Sequence, residues 1–485
     1  MGAQRILNGE MLYRDFFEFW MPGTFYLLAL VFKLFGQGLL VIRSFIFFNF
    51  LTIFVLVFLI GRKINQSSWG GALSLAVFVC ASGAAALNHN WLGLLFVCLG
   101  VWGLLYLRES WVKLAMIGLI TGLTIGFNQW QGTAMFIAVS LTLLKIGAAP
   151  VSGPPLCPAW NLNLKEFKKF VIYALSTTLI PLFWCLYFWQ QSTLNEMLYA
   201  TIIFPLTRYH EGNIHGWPYQ IWWITTIFYL WFLIKCRPLH KDKKIVLLFG
   251  LTIHLFTLIS AGGGHTALSY PFTASLIIYF IQYHVPDLIK SQPVPAPSFK
   301  SMFSSKKWQK QTVNKIITCV LTASIVIKVA YNMTGKIGYF LQVENTRLTT
   351  AKGTLYAPVE LAEIIKGIDH YFNTSPDSSQ SIYIAPWSPF LYYLFDIKDP
   401  TRYSHLGPEH YNKPVLTEII NDLERKRINT IVFSPQETHF DTYKPELYQP
   451  SVLTQYITQN YEPVEFLNSD RAEPLELNNL IWERE

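Results

Sequence analysis

Apolar residues are distributed along this chain in long blocks. Runs able to cross about 30 Å of hydrocarbon at about 1.5 Å per residue fall at 40–60, 69–87, 91–107, 113–128, 131–147, 170–190, 219–235, 245–260, 267–284 and 313–332. Each reads as a transmembrane helix, giving a bundle of about ten. A shorter run, Thr24 to Phe35, follows Pro22-Gly23 and stops at Gly36. Too short to span, it reads as a juxtamembrane helix lying in the interface with Lys33 reaching toward the headgroups. Beyond Asn345 the pattern turns polar: APVELAEIIKGIDHYF and PVLTEIINDLERKR have helical periodicity, and QSIYIAP and INTIVFSP read as strands. The expected architecture is an α-helical polytopic membrane protein with a small C-terminal α/β domain. Residues 1–39 form an outer-face loop and juxtamembrane helix, 40–335 the bundle with a Pro-, Ser- and Lys-rich cytoplasmic linker at 285–312, and 336–485 an extracytoplasmic domain.

Composition agrees with a lipid solvent. The chain is 52% hydrophobic and only 14% charged, against about a quarter charged in soluble proteins. The net charge of +8 does not indicate a nucleic-acid partner, because the basic residues sit in short loops between apolar runs. Those loops set the orientation. Arg62, Lys63, Arg108, Lys165, Lys241 and Lys306 belong to one set of alternate loops, whereas the opposite set, near His89, Gln129, 191–218 and 261–266, holds only Arg208. The positive-inside rule makes the first set cytoplasmic, which places the N-terminal segment and everything after about residue 333 on the outer face. The start, MGAQRILNGEMLYRDFFEFW, is polar and carries Arg5, Glu10, Arg14, Asp15 and Glu18, so it is not a signal peptide. The six cysteines lack C-x-x-C spacing, so neither a disulfide framework nor a cysteine metal site is expected.

Polar residues at the outer ends of the helices are the candidates for chemistry, since burying them is unfavourable unless they are paired or wetted. These are Asp15, Glu18, His89, Asn128, Gln129, Arg208, His210, Glu211, His215 and His265. Asp15 stands a few residues before the Pro-Gly break; stripped of part of its solvation there, its carboxylate would gain basicity. Gly263, Gly264 and His265 open a helix, where free backbone N–H groups and an imidazole suit a phosphate. In FPLTRYHEGNIHGWP, His210 and His215 lack a helical ligand spacing, so no metal residues are assigned and a divalent cation stands only as an optional cofactor. The ordinary reading of any one of these residues is a solvated loop position or a helix cap.

The segment AQRILNGEMLYRDFFEFWMPGTFYLLALVFKLFG resembles the GT-C glycosyltransferases, in particular the family of protein O-mannosyltransferases and lipid A aminoarabinose transferases. It holds a Gly-acidic-x-x-Tyr stretch (Gly9 to Tyr13), a further acidic residue, a Pro break and an amphipathic helix ending in Phe-Gly. The likeness continues with Arg43 early in the next helix and a glycine-and-histidine turn before Tyr270-Pro271. Asp15 matches the second acidic position of the family's outer loop. The first has no counterpart, so the expectation is either an upstream helix bearing it or a degenerate homologue of the family.

The resemblance implies a bacterial cytoplasmic (inner) membrane enzyme that moves a sugar, with inversion, from a polyprenyl-phosphate donor to a hydroxyl on a lipid, glycan or protein. Asp15 and Glu18 would be catalytic, Arg208, His265, Gly263 and Gly264 would hold the donor phosphate, and His89, Gln129, His210 and Glu211 would complete the outer face. Other readings of the same sequence are a flippase for lipid-linked sugars and a non-catalytic membrane scaffold. A flippase would want intramembrane charges and an internal repeat; the sequence shows no repeat and few charges inside the spans beyond Arg43.

Overall fold

The computed structural model describes residues 1–81, 89–144, 164–209, 220–235, 240–257, 267–290, 345–374, 382–385, 389–404, 406, 410, 412–433, 451–466 and 480–484. In chain order the helices are α1 (Gly2–Leu7), α2 (Gly23–Phe35), α3 (Leu39–Asn65), α4 (Ser68–Ala81), α5 (His89–Tyr106), α6 (Trp111–Phe127), α7 (Gln129–Leu143), α8 (Leu164–Gln190), α9 (Leu194–Leu198), α10 (Gln220–Lys235), α11 (Lys241–Phe256) and α12 (Tyr270–Lys290). Each apolar run between 40 and 284 thus coincides with a helix. The run at 313–332 lies outside the described residues, as does most of the expected linker. Residues 285–290 of that linker are the last turns of α12.

The chain forms two compact units, one of residues 46–185 and 216–340, the other of residues 1–45, 186–215 and 341–485. The first is helical among the described residues, with a core that includes Val57, Ile60, Val97, Val101, Ile117, Met135, Phe249, Phe272 and Leu276. Its helices approach through small residues, as membrane helices do where lipid gives no hydrophobic drive between them. A Cβ on Gly122 of α6 would lie 2.5 Å from the Thr177 carbonyl oxygen of α8, and one on Gly71 of α4 would lie 2.8 Å from the Phe58 carbonyl oxygen of α3. Asn128 separates α6 from α7. Its extended backbone ends one helix, and its side chain accepts from the Gln131 N–H at 3.0 Å to cap the next. Leu175, Leu179, Leu182 and Phe183 of α8 are exposed, a stripe that hydrocarbon solvates and water would not. The protein is a membrane protein; α3, α5 and α8 are long and apolar enough to cross.

The second unit interleaves distant parts of the chain. Strands β1 (Asn345–Thr350) and β2 (Gly353–Pro358) form an antiparallel hairpin. There follow α13 (Val359–Thr374), β3 (Ile382–Ala385), α14 (Pro389–Phe395), α15 (Lys413–Arg425), β4 (Thr430–Phe433), α16 (Val452–Asn460), β5 (Tyr461–Phe466) and β6 (Leu480–Arg484). The four-stranded sheet runs β3-β4-β6-β5, with β3 and β4 parallel and the other pairs antiparallel. Ala29 and Phe32 of α2 and Leu39 of α3 pack into one core with Leu348, Leu355, Ile365, Ile384 and Leu394. The juxtamembrane helix is therefore two-sided. One face belongs to the α/β core, while Leu30, Lys33, Leu34 and Phe35 on the other are exposed. The joint is held by the Leu39 N–H donating to the Lys352 carbonyl at 2.8 Å, Tyr393 Oη to the Gln37 carbonyl at 2.6 Å and Arg43 Nη1 to the Thr354 carbonyl at 3.0 Å.

Residues 191–209, expected to be loop, are mostly helical. After α9 the chain continues in π-helical turns at Tyr199–Ile203 and Pro205–Tyr209. Met197, Ala200, Thr201 and Phe204 face inward while Tyr199, Ile202, Ile203 and Leu206 are exposed, the period of an amphipathic helix.

Candidate functional site

The loop between α1 and α2 is folded back on itself and anchored. Tyr13 takes a left-handed backbone, φ 73°, uncommon for an aromatic residue. Its N–H donates to the Phe16 carbonyl at 2.9 Å and its hydroxyl to the Trp20 carbonyl at 2.7 Å, so several contacts fix the strained conformation. The loop is also tied to the C-terminal part of the same unit: Arg402 Nη2 donates to the Tyr13 carbonyl at 2.6 Å, and the Phe17 N–H to the Arg402 carbonyl at 2.8 Å. Phe17 lies against Phe204, Tyr403 and His410, with ring centroids at 4.9, 5.5 and 5.5 Å.

Arg5 sits beneath this loop with its side chain only 7% exposed. Its guanidinium donates to Glu10 Oε2 at 2.7 Å, to the Asp15 carbonyl at 2.9 Å, to Asp399 Oδ2 at 3.3 Å and to Ser404 Oγ at 3.0 Å. Asp399 Oδ1 also accepts from the Thr401 N–H at 2.8 Å. Burial still pushes the Asp399 carboxyl above the usual range, against the pull of Arg5.

The two carboxylates expected to be catalytic sit in opposite environments. Asp15 is ionised. Its carboxylate accepts from Arg14 Nε and Nη2, both at 2.8 Å, and from the Met11 N–H at 2.7 Å. The hydrogen bond from Arg14, more than its partial burial opposes, holds its pKa below the usual carboxylate value. This corrects the expectation of a raised Asp15 pKa: the desolvation argument omitted the guanidinium one residue away. Glu18 is the desolvated group. Burial pushes its carboxyl up to about 7, against the Met1 α-amino group and Arg5, which pull it down.

The remaining candidates are dispersed. The backbone of Arg208 lies in the π-helical turn Pro205–Tyr209, in the same unit as Asp15 and Glu18. His89, Asn128 and Gln129 belong to the other unit. There the Asn128 side chain donates to Asn90 Oδ1 at 2.8 Å, the Gln131 side chain donates to the Asn90 carbonyl at 2.9 Å, and His89 and Gln129 open α5 and α7. This is a helix-end network. His210, Glu211, His215, Gly263, Gly264 and His265 lie outside the described residues. Among the described residues no group of three His, Cys, Asp or Glu side chains is placed to hold a metal. Sequence reasoning missed Asp399, Arg402 and His410 as neighbours of the loop; the turn-forming Asp399-Pro400 was the one available signal.

The backbone matches that of ArnT from Cupriavidus metallidurans, solved with undecaprenyl phosphate bound. The TM-score is 0.55 at 11% identity, over 99% of this chain and 91% of that one. The chain has the GT-C fold. A second structure with this fold, the archaeal oligosaccharyltransferase AglB from Archaeoglobus fulgidus in complex with an inhibitory peptide and a dolichol-phosphate, aligns with TM-score 0.46 and 9% identity, over 89% of this chain and 64% of that one. No protein-family model and no curated protein sequence matches the chain. Within the GT-C fold of this protein, the anchored loop carrying Asp15 and Glu18 is the candidate site.

Proposed function

We propose that this protein is a membrane glycosyltransferase that takes a sugar from a polyprenyl-phosphate donor and passes it, with inversion, to a hydroxyl of a lipid, glycan or protein on the outer face of a bacterial cytoplasmic membrane. The observation that carries the reading is the correspondence with undecaprenyl-phosphate-bound ArnT over nearly the whole of both chains. A donor with a long isoprenoid tail has to be reached from within the bilayer, which suits an enzyme with a membrane-protein fold. In this reading Glu18 is the general base. A carboxyl with pKa near 7 is poised to accept the proton of an acceptor hydroxyl as the sugar–phosphate bond breaks. Asp15 stays ionised and contributes fixed negative charge. Arg208 and His265, with the backbone of Gly263 and Gly264, would meet the departing phosphate, and a divalent cation would serve the same charge if one binds. His89, Gln129, His210 and Glu211 are the remaining outer-face candidates of this reading.

The test is sugar release from labelled polyprenyl-phosphate donors by purified protein in proteoliposomes. Transfer by the wild type and its collapse in Glu18→Gln support the reading. A folded wild type inert toward every donor refutes it.

A further inference from the structure

Resting on that transferase reading, we propose that Arg5 is a positioning residue: by clamping the Asp399–Ser404 segment to the loop bearing Asp15 and Glu18, it makes the C-terminal domain part of the reaction site. The geometry is two-sided. Toward the loop, the guanidinium binds the Glu10 carboxylate at 2.7 Å and the Asp15 carbonyl at 2.9 Å. Toward the C-terminal domain, it binds Asp399 at 3.3 Å, the Thr401 carbonyl at 3.1 Å and Ser404 Oγ at 3.0 Å. Only a planar group with donors on three nitrogens spans both sets at once; a lysine ammonium is a single point with three donors.

The clamp continues through the loop at alternate residues. Tyr13 and Phe17 are bonded to Arg402 through their main chain and Asp15 to Arg5, immediately before Glu18. The Asp399 carboxylate has no exposed side-chain surface. A buried arginine flanked by two carboxylates is rarely a net source of stability compared with apolar packing, so its presence here is better explained by the geometry it imposes. The charged and titratable groups acting on Glu18 are Arg5, the Met1 α-amino group and Tyr13.

The experiment uses the full chain in proteoliposomes with a polyprenyl-phosphate sugar donor. Arg5→Lys keeps the charge and loses the fork; kcat is expected to fall about 100-fold, donor KM to stay within about threefold, and the acid limb of the pH profile to stay in place. Arg5→Met removes the cation, so the acid limb moves to higher pH as well. Asp399→Asn is a milder second variant, expected to lower kcat without an upward shift of that limb. A wild-type kcat in Arg5→Lys overturns the proposal, as does a loss confined to KM or to the yield of folded protein. Amide hydrogen exchange over residues 11–18 separates this claim from the transferase reading. Faster exchange in Arg5→Lys and Asp399→Asn supports the clamp even if the wild type transfers nothing, and unchanged exchange overturns it even if the wild type is active.

Discussion

The two units of this protein solve the problem of buried polarity in different ways. In the helical unit, many buried serine and threonine hydroxyls return to the helix that carries them. Ser74 donates to the Gly70 carbonyl at 2.7 Å, Thr121 to Ile117 at 2.8 Å and Thr252 to Leu248 at 2.9 Å. Its buried Lys113 donates to the Leu104 and Leu107 carbonyls at a helix end. Such groups are neutral or locally satisfied, as a hydrocarbon surrounding demands. In the interleaved unit, a full charge is buried across a long sequence separation, Arg5 with Asp399, and the half-buried Glu18 has its pKa raised to about 7 by desolvation. Polarity in the first unit secures helices, whereas polarity in the second is held at an energetic disadvantage, the condition associated with reactive groups.

The largest expected effect tests that assignment directly. Glu18→Gln is isosteric and removes the base, so kcat should fall about 100- to 10,000-fold, the range of general-base contributions. The acid limb near pH 7 should vanish from whatever rate remains, measured as labelled sugar transfer against pH. Stability should move the other way. The folded state keeps the Glu18 proton at pH values where an unfolded carboxyl has lost it, so wild-type stability declines as pH rises from about 4.5 to about 7. Thermal unfolding of Glu18→Gln should lack that decline, its melting temperature gaining on the wild type as pH is raised through the window. Parallel pH curves for the two proteins would show that Glu18 is not the desolvated group.

Next in size comes a steric probe of the helical unit. Gly122→Val sets branched carbons against the Thr177 carbonyl, where even a Cβ would lie at 2.5 Å. A cost of about 1–3 kcal/mol is expected, seen as a lower melting temperature in detergent. The pH dependence of any transfer should be untouched, because no titrating group is altered. A shifted profile would break the separation between a securing unit and a reacting one.

What could be read from the sequence followed the same division. Helices of the bundle were legible because each is encoded by a contiguous apolar block, and the Asn128 break by a residue suited to ending one helix and capping the next. The β3 and β4 strands and the α13 and α15 helices were legible from local periodicity. The mixing of residues 1–45 and 186–215 with the C-terminal domain was not. No local pattern records that Arg5 pairs with a residue 394 positions away, or that the 194–209 segment buries Met197, Ala200 and Phe204. The order of basicity between Asp15 and Glu18 was partly available, since Arg14 adjoins Asp15 in the sequence, but the desolvation of the half-buried Glu18 follows only from the folded loop.

A smaller effect checks the helix-end network. Asn128→Ala removes the α7 cap and the bond to Asn90, so about 1 kcal/mol of stability should be lost. If Asn128 only secures the helices, transfer per folded molecule stays at the wild-type level; a fall in kcat at full occupancy of folded protein would move this network into the reaction site.

Arg14→Gln is the finest cut, because it separates the two carboxylates of one loop. The ion pair is superficial, with Arg14 55% and Asp15 33% exposed at the side chain, so solvent screening limits its worth to about 0.2–1 kcal/mol. Asp15 is held below its ordinary pKa mainly by Arg14. The stability from that pairing is therefore present above the unfolded carboxylate pKa and is lost as pH falls through the lower folded value. Removing Arg14 should raise the Asp15 pKa toward the ordinary range, making the difference in unfolding free energy between wild type and variant shrink below about pH 4 and diminish with added salt. Near neutral pH Asp15 remains ionised in both proteins, so the rate profile set by Glu18 should not move. If it does move, the two carboxylates titrate as a pair, and the base of the proposed reaction is shared between them.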